Sequence, residues 1–284
     1  MKILLTGAAG FTGFFFKLAA EAAGHQVLVL QANLTDKVTV VADVLQAAPD
    51  AVVHLAAISF VGHADETAFY SVNVVGTMNL LSALAALSTK PRCVLLASSA
   101  NIYGNCDASP ITELQPPVPV HHYAMSKLAM EHMAMTYLDR LSIVISRPFN
   151  YTGPGQAPQF LIPKLVSHFA RKAERIELGN LHVEREFNDV RMVCDVYLRL
   201  LDKGVPGQAY NVCSGQPYTL QHVISTLEQI TGHHMAVEVN PAFVRANEVH
   251  RLCGSPAKLL ACTGPVPTPT LEETLRWMLE QSQC

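Results

Sequence analysis

Tyr123 and Lys127 stand four residues apart in HHYAMSK (121–127), between a proline-studded stretch and an apolar, helix-like run. On a helix that spacing puts a phenol and an ammonium on one face, one turn apart. A free tyrosine titrates near pH ~10 and is a poor acid or base at neutrality, whereas a cation held beside it favours the phenolate. The pair can be a tuned proton donor, or a tyrosine and a lysine on a helix surface; spacing alone leaves both open. The flanking His121 and His122 read as incidental. A second group is Gly7, Gly10 and Gly13 in LLTGAAGFTGFFF, at GxxGxxG spacing between a strand pattern and a helix pattern. One glycine serves a tight turn, one lets a pyrophosphate approach the backbone, and one allows close helix-on-sheet packing. The helix start then offers free N–H groups to phosphate. This points to a bound dinucleotide. The carboxylate that would end the second strand and take the ribose of NAD is absent: VLVLQANLTD carries Gln31 there. With no arginine adjacent, the expectation leans to NADPH, with NADH open.

The elements that must position these groups follow from periodicity. Apolar runs at 2–7, 25–30, 50–57, 92–99 and 141–150 read as buried strands. Residues 12–23, roughly 65–88, 123–139 and 162–173 read as helices. Continuous Val/Ile/Leu strands separated by helices imply a parallel sheet covered on both faces. Beyond Asn150 the pattern changes to a loop, YTGPGQAPQ, then shorter strands and helices with turn signals at Gly204, Gly207, Gly215 and Pro217. The expected fold is α/β, a Rossmann-like doubly wound parallel sheet with a smaller α/β C-terminal substrate domain.

Bulk properties narrow the class. Half of the 284 residues are hydrophobic and 15% are charged, as in a compact globular chain. A formal net charge of −3 without a basic stripe gives no reason to expect nucleic acid. Seven scattered cysteines, none at CxxC spacing, fit reduced thiols and a cytoplasmic location. Twelve histidines, including the pairs His121–His122 and His233–His234, lack HExxH or comparable spacing, so no metal site is expected. The apolar N-terminus is interrupted by its glycines and Lys17, and reads as part of the fold rather than as a signal peptide or membrane span.

Six stretches, in order, resemble the extended short-chain dehydrogenase/reductase family: TGAAGFTG (6–13), VVHLAA (52–57), NVVGTMNLL (73–81), LLASSANIYG (95–104), YAMSK (123–127) and RPFNYTGPGQ (147–156). The resemblance implies that Tyr123 is the acid/base, that Lys127 lowers its pKa and holds the nicotinamide ribose, and that Ser99 hydrogen-bonds the substrate oxygen. Ser98 is the rival for Ser99. It further implies cofactor contacts from Gly7, Gly10, Phe11, Thr12, Asn33, Leu34, Leu55, Ala56, Ala57 and Pro148, with Phe149 packing near the nicotinamide. The second half, in ELGNLHVEREFNDV (177–190), AYNVCSGQPYTL (209–220) and RANEVHRLCGSPAKL (245–259), is similar to GDP-sugar members of that family. The member it most resembles reduces the 4-keto group of GDP-4-keto-6-deoxy-D-mannose to give GDP-D-rhamnose. By that similarity Asn150, Arg185, Arg245 and Glu248 hold the nucleotide diphosphate and ribose, while Glu186 and Met192 depart from the family pattern RDFLDVRDV.

The same resemblance divides the chain. Residues 1–150 with a return segment near 183–212 would bind the dinucleotide; about 151–182 and 213–284 would bind the nucleotide sugar. Sugar-nucleotide 4,6-dehydratases carry an acidic residue two places after the active-site Ser/Thr; here that place is Asn101, which favours a plain reductase. A 4-epimerase, a reductase of a CDP-, UDP- or dTDP-linked sugar, and a non-catalytic dinucleotide sensor are the alternatives. A homodimer through the 65–88 and Tyr123 helices is the family's common assembly, and Leu128, Met130, Met133 and Met135 cover more than one helix face, which suits a helix packed on both sides and equally a buried helix of a monomer.

Overall fold

The computed structural model describes residues 1–181, 183–241 and 250–282. In chain order the first half comprises β1 (Lys2–Thr6), α1 (Phe11–Ala22), β2 (Gln26–Val29), α2 (Lys37–Ala47), β3 (Ala51–His54), α3 (Glu66–Tyr70), α4 (Thr77–Ala86), β4 (Cys93–Ala97), α5 (His122–Met135) and β5 (Ile143–Pro148). The second half continues with β6 (Tyr151–Thr152), α6 (Leu161–Ala170), β7 (Arg175–Leu178), β8 (Glu184–Glu186), β9 (Asn188–Asp189), α7 (Val190–Lys203) and β10 (Ala209–Val212). It ends with β11 (Pro217–Thr219), α8 (Leu220–Thr231), β12 (Ala236–Val239), β13 (Arg251–Leu252), α9 (Ala257–Thr263) and α10 (Leu271–Gln281).

Six strands form one sheet in the order β10-β5-β4-β3-β1-β2, every pairing parallel. This is the doubly wound sheet expected from the sequence. Its strands are buried on both faces, which is why they read as unbroken apolar runs rather than alternating ones. On one face Phe16 and Ala20 of α1 pack with Val193, Val196, Tyr197 and Leu200 of α7 over Ile3, Leu5 and Val53. On the other, Val40 and Val44 of α2, Leu80, Leu81 and Leu84 of α4, and Met130 and Ala134 of α5 cover Leu4, Val52 and Leu96. Each fully buried Val or Leu of this kind contributes about 2 kcal/mol of transfer free energy. Strand order reverses between β1 and β3, so a crevice opens at the carboxyl ends of those strands, where ligands of such sheets bind. A smaller assembly of α6, α8 and α10 packs around Ile176, Leu178 and Phe187. Beside it lie a β7–β12 pair and the β11-β8-β13 sheet.

Two elements differ from the sequence reading. The helix α2 went unread because KVTVVADVLQA is rich in β-branched residues; its start is fixed by Asp36, whose side chain accepts from the N–H groups of Val38 and Thr39. The long helix near 65–88 is interrupted by a π turn at Ser71–Gly76, around Asn73. The run Glu66–Ala86 is long and apolar enough to cross a membrane by length and composition, yet half of it is buried against the rest of the protein.

Candidate active site

The glycine turn follows β1. Gly7 has φ +71°, and a Cβ there would lie 2.7 Å from the backbone nitrogen of Ala56; a Cβ on Gly13 would fall 2.1 Å from the Gly7 carbonyl oxygen. Both positions therefore admit only glycine. Gly10 starts α1 with no side-chain cap, leaving the first N–H groups of the helix available to an anion. A bare helix start over a backbone that no side chain crowds fits a pyrophosphate. Phe11 stacks on Tyr151 with centroids 6.1 Å apart, and Thr12 Oγ1 lies 2.7 Å from the Tyr151 hydroxyl.

Beside it, Leu55, Ala56 and Ala57 leave the end of β3. The N–H groups of Leu55 and Ala56 donate to Thr6 Oγ1 at 3.2 and 3.1 Å. With its lone pairs taken, the Thr6 hydroxyl donates its hydrogen to His54 Nδ1, 2.7 Å away. That fixes the ring as the Nε2–H tautomer, which donates to Thr77 Oγ1 at 2.8 Å; Thr77 in turn donates to the Asn73 carbonyl at 2.7 Å. Burial, and secondarily the Lys127 charge, push His54 down to about 3, so the ring stays neutral. Asn73 accepts from Ile58 N and donates to Ile58 O and to Ser126 Oγ at 2.9, 3.1 and 3.0 Å. One chain of hydrogen bonds thus ties the glycine turn to the helix that carries Tyr123. Past β2, the N–H groups of Gln31 and Ala32 donate to Asp43 of α2, at 2.9 and 2.8 Å. Asn33 Oδ1 accepts from Thr35, and the Leu34 carbonyl is held by Asn79 Nδ2 at 2.9 Å.

Ser99, Tyr123 and Lys127 converge at the ends of β4 and α5, all three buried. Ser99 Oγ accepts from Asn101 N at 3.1 Å and Asn101 Nδ2 at 3.0 Å. The Ser98 hydroxyl, the rival, is buried with no partner among the described residues. Burial pushes the Tyr123 phenol up, and the Ser99 hydrogen bond acts in the opposite direction. Lys127 turns its Nζ onto the Ala97 carbonyl, 2.7 Å away. Burial brings Lys127 down to about 8, against the opposing charge of Glu131 one turn further along α5. His121, read as incidental, instead caps α5: its Nδ1 accepts from Ala124 N at 3.1 Å, and its ring stacks on Tyr123 with centroids 6.0 Å apart. His122 joins α5 to α3 through the Tyr70 hydroxyl at 2.9 Å and Glu66 at 3.1 Å.

Beneath the site Arg147 forms a bidentate pair with Glu131 at 3.0 and 2.6 Å and donates to the Tyr103 hydroxyl at 2.9 Å. Tyr103 donates to Asn211 at 2.7 Å. This buried network locks β5, α5 and the turn after Ser99 into one body; spacing could not reveal it, because its members come from four separate stretches. Pro148 is buried at the end of β5, and Phe149 packs into the core with Tyr103, Ile111 and Leu252. The Asn150 carbonyl accepts from Asn188 N and Nδ2, at 2.9 and 3.1 Å. Arg185 lies on β8, its guanidinium donating to the Glu184 carbonyl at 2.9 Å. Arg245 and Glu248 lie outside the described residues. The departure at Glu186 has a structural reason. Fully buried, it accepts from the N–H groups of Gly254, Ser214 and Gly215 at 2.6, 2.8 and 3.2 Å, and from Ser214 Oγ and Asn188 Nδ2. Met192, another departure, is a buried core residue of α7. Among the described residues no group of three or more His, Cys, Asp or Glu could hold a metal.

A parallel sheet with a glycine turn at its switch point and a Ser/Tyr/Lys set facing it is the frame of an extended short-chain dehydrogenase/reductase. Within that class the chain belongs to the GDP-mannose 4,6 dehydratase family, which it matches over residues 16–278. It is 38% identical to GDP-6-deoxy-D-talose 4-dehydrogenase of Aggregatibacter actinomycetemcomitans, over 93% of this chain and 92% of that one. It is 35% identical to GDP-6-deoxy-D-mannose reductase of Pseudomonas aeruginosa, over 98% of this chain and 96% of the relative. A solved structure, RMD from Pseudomonas aeruginosa complexed with NADPH, superposes with a TM-score of 0.92 at 34% identity, covering 99% of this chain and 98% of that one.

Proposed function

We propose that the protein is an NAD(P)H-dependent 4-ketoreductase of a nucleotide-linked 4-keto-6-deoxy sugar, with GDP-4-keto-6-deoxy-D-mannose as substrate and GDP-D-rhamnose as product. The observation that carries this reading is the meeting of Ser99, Tyr123 and Lys127, buried together at the ends of β4 and α5. A phenol keeps its proton at neutral pH and can give it to an oxygen as charge develops there, as ketone reduction requires. The position two residues after Ser99 is Asn101, an amide that cannot remove a C5 proton, so the family's dehydration is not expected here. NADPH, with NADH as the alternative, would lie across the switch point with its pyrophosphate at Gly7, Gly10 and the start of α1, and when bound it supplies the hydride. Tyr123 delivers the proton to the C4 oxygen. Ser99 donates a hydrogen bond to that oxygen as charge develops on it, and Lys127 holds the ribose hydroxyls. Asn150 and Arg185, with Arg245 and Glu248, would take the nucleoside diphosphate; a planar guanidinium suits bidentate contact with phosphate.

The relative named for GDP-6-deoxy-D-talose favours a second product of the same reduction. 6-Deoxytalose and rhamnose differ only at C4, so the two outcomes correspond to hydride arriving on opposite faces of one ketone. Incubation with NADPH and 4-keto-6-deoxy sugars on GDP, CDP, UDP and dTDP, with NMR of the products, tests the proposal. NADPH consumption with the GDP sugar is expected, and a Tyr123→Phe variant should lose turnover while retaining the dinucleotide. Turnover confined to another nucleotide, or full activity of Tyr123→Phe, would overturn it. A cytoplasmic enzyme acting as a homodimer completes the proposal.

A further inference from the structure

Asn101 does more than leave a carboxylate out. A serine hydroxyl has one hydrogen to donate and two lone pairs to accept with. Both acceptor positions of Ser99 Oγ are occupied by Asn101, through its backbone N–H at 3.1 Å and its side-chain Nδ2 at 3.0 Å. The only remaining role for the hydroxyl is to donate. The hydrogen bonds therefore run in one direction: Asn101 to Ser99, and Ser99 to whatever oxygen the substrate presents beside Tyr123. We infer that Asn101 is a positioning residue that commits the Ser99 hydrogen to the C4 oxygen, setting the site for reduction.

This rests on the 4-keto reduction proposed above. It makes a distinction that simple support of the turn would not. A carboxylate at position 101 occupies the same volume but can only accept, so it would draw the Ser99 hydrogen toward itself and reverse the first link. A methyl group there removes the Nδ2 donor yet leaves the backbone N–H and the outward direction intact. The isosteric change should therefore be more damaging than the truncation, the opposite of what packing alone would give. The titratable and charged groups around this point are Tyr123 and Lys127 of α5, His121 stacked on Tyr123, Tyr151 and Tyr197 of the facing elements, and Glu131 and Arg147 behind them. A new carboxylate would raise the Tyr123 phenol further.

The test compares Asn101→Asp, Asn101→Ala and Asn101→Leu, each checked for a native circular dichroism spectrum and melting transition. With GDP-4-keto-6-deoxy-D-mannose and NADPH, Asn101→Asp is expected to lose about 100-fold in kcat, the loss typical of one misdirected donor at a developing oxyanion, with NADPH affinity retained. Asn101→Ala and Asn101→Leu should each lose less than about 10-fold, a factor that keeps them well apart from one lost donor. Equal losses in all three, or an Asn101→Asp enzyme close to wild type, would overturn the inference. A second readout does not depend on turnover: alkaline titration of tyrosinate absorbance, each variant referenced to its Tyr123→Phe partner. The Tyr123 transition should move to higher pH in Asn101→Asp, and an unmoved transition counts against the inference even if Asn101→Asp is inactive. Absence of wild-type turnover with any 4-keto sugar would sink the function while leaving the titration to test whether a charge at position 101 reaches Tyr123; if Asn101→Asp does not fold, a loss beyond 100-fold in Asn101→Leu overturns the inference.

Discussion

Acid should weaken this protein through one neutral imidazole. His54 is locked between Thr6 and Thr77 as the Nε2–H tautomer, at 2.7 and 2.8 Å, and burial holds it at about 3 instead of its ordinary 6.5. The sign is that of a depressed folded-state value. Above pH 6.5 neither state binds the proton and the stabilisation is complete; between 6.5 and about 3 only the unfolded chain takes it up, so stability falls as pH falls. Each pH unit in that window costs about 1.4 kcal/mol, hence about 2 kcal/mol between pH 6.5 and 5. Carboxylate pairs such as Arg147–Glu131 titrate too, so the measurement must be differential. Urea unfolding of wild type and His54→Gln at pH 7 and pH 5 isolates the ring. Glutamine is expected to cost about 1–3 kcal/mol at pH 7, because Thr6 or Thr77 loses its partner. The wild type should then lose about 2 kcal/mol more than the variant on going to pH 5. Parallel losses would refute the buried, neutral histidine and with it the hydrogen-bond chain from the glycine turn to α5.

Other expectations follow from particular residues. Gly7→Ala places a methyl group 2.7 Å from the Ala56 nitrogen at φ +71°. It should cost about 2 kcal/mol of stability and abolish measurable NADPH binding by fluorescence titration. Lys127 loses its proton as pH rises through about 8, so kcat/KM should fall on the alkaline side with a midpoint near there, and Lys127→Arg should shift or remove that limb. Val75, Met78 and Met125 expose 43%, 40% and 43% of their surface on the helices proposed to pair. Met78→Glu with Met125→Glu should convert a dimer to a monomer in sedimentation velocity; a wild-type monomer would refute that assembly.

The legible parts of this molecule were those whose physics is local. Unbroken Val/Ile/Leu runs announce strands buried on both faces, and Gly7, Gly10 and Gly13 mark a backbone conformation and approach that other residues forbid. The Tyr123–Lys127 spacing likewise places two groups one turn apart on α5. What stayed hidden depends on partners far away in sequence. Glu186 looks like a surface acid until the loops at Ser214 and Gly254 close over it. His121 becomes a cap only once α5 starts beside it, and Asn73 gains its role where the helix opens into a π turn against Ile58. The hydrogen bond of Lys127 to the Ala97 carbonyl is also a tertiary fact, made across thirty residues of chain.

The most direct test of a Tyr123-assisted 4-keto reduction uses NADPH deuterated at the nicotinamide C4, with GDP-4-keto-6-deoxy-D-mannose, and locates the label in the product by NMR. One deuterium at C4 of a GDP-6-deoxyhexose, in the rhamnose configuration, is the predicted result. An unconsumed ketone, label at any other carbon, or conversion of GDP-mannose itself by loss of water would contradict it.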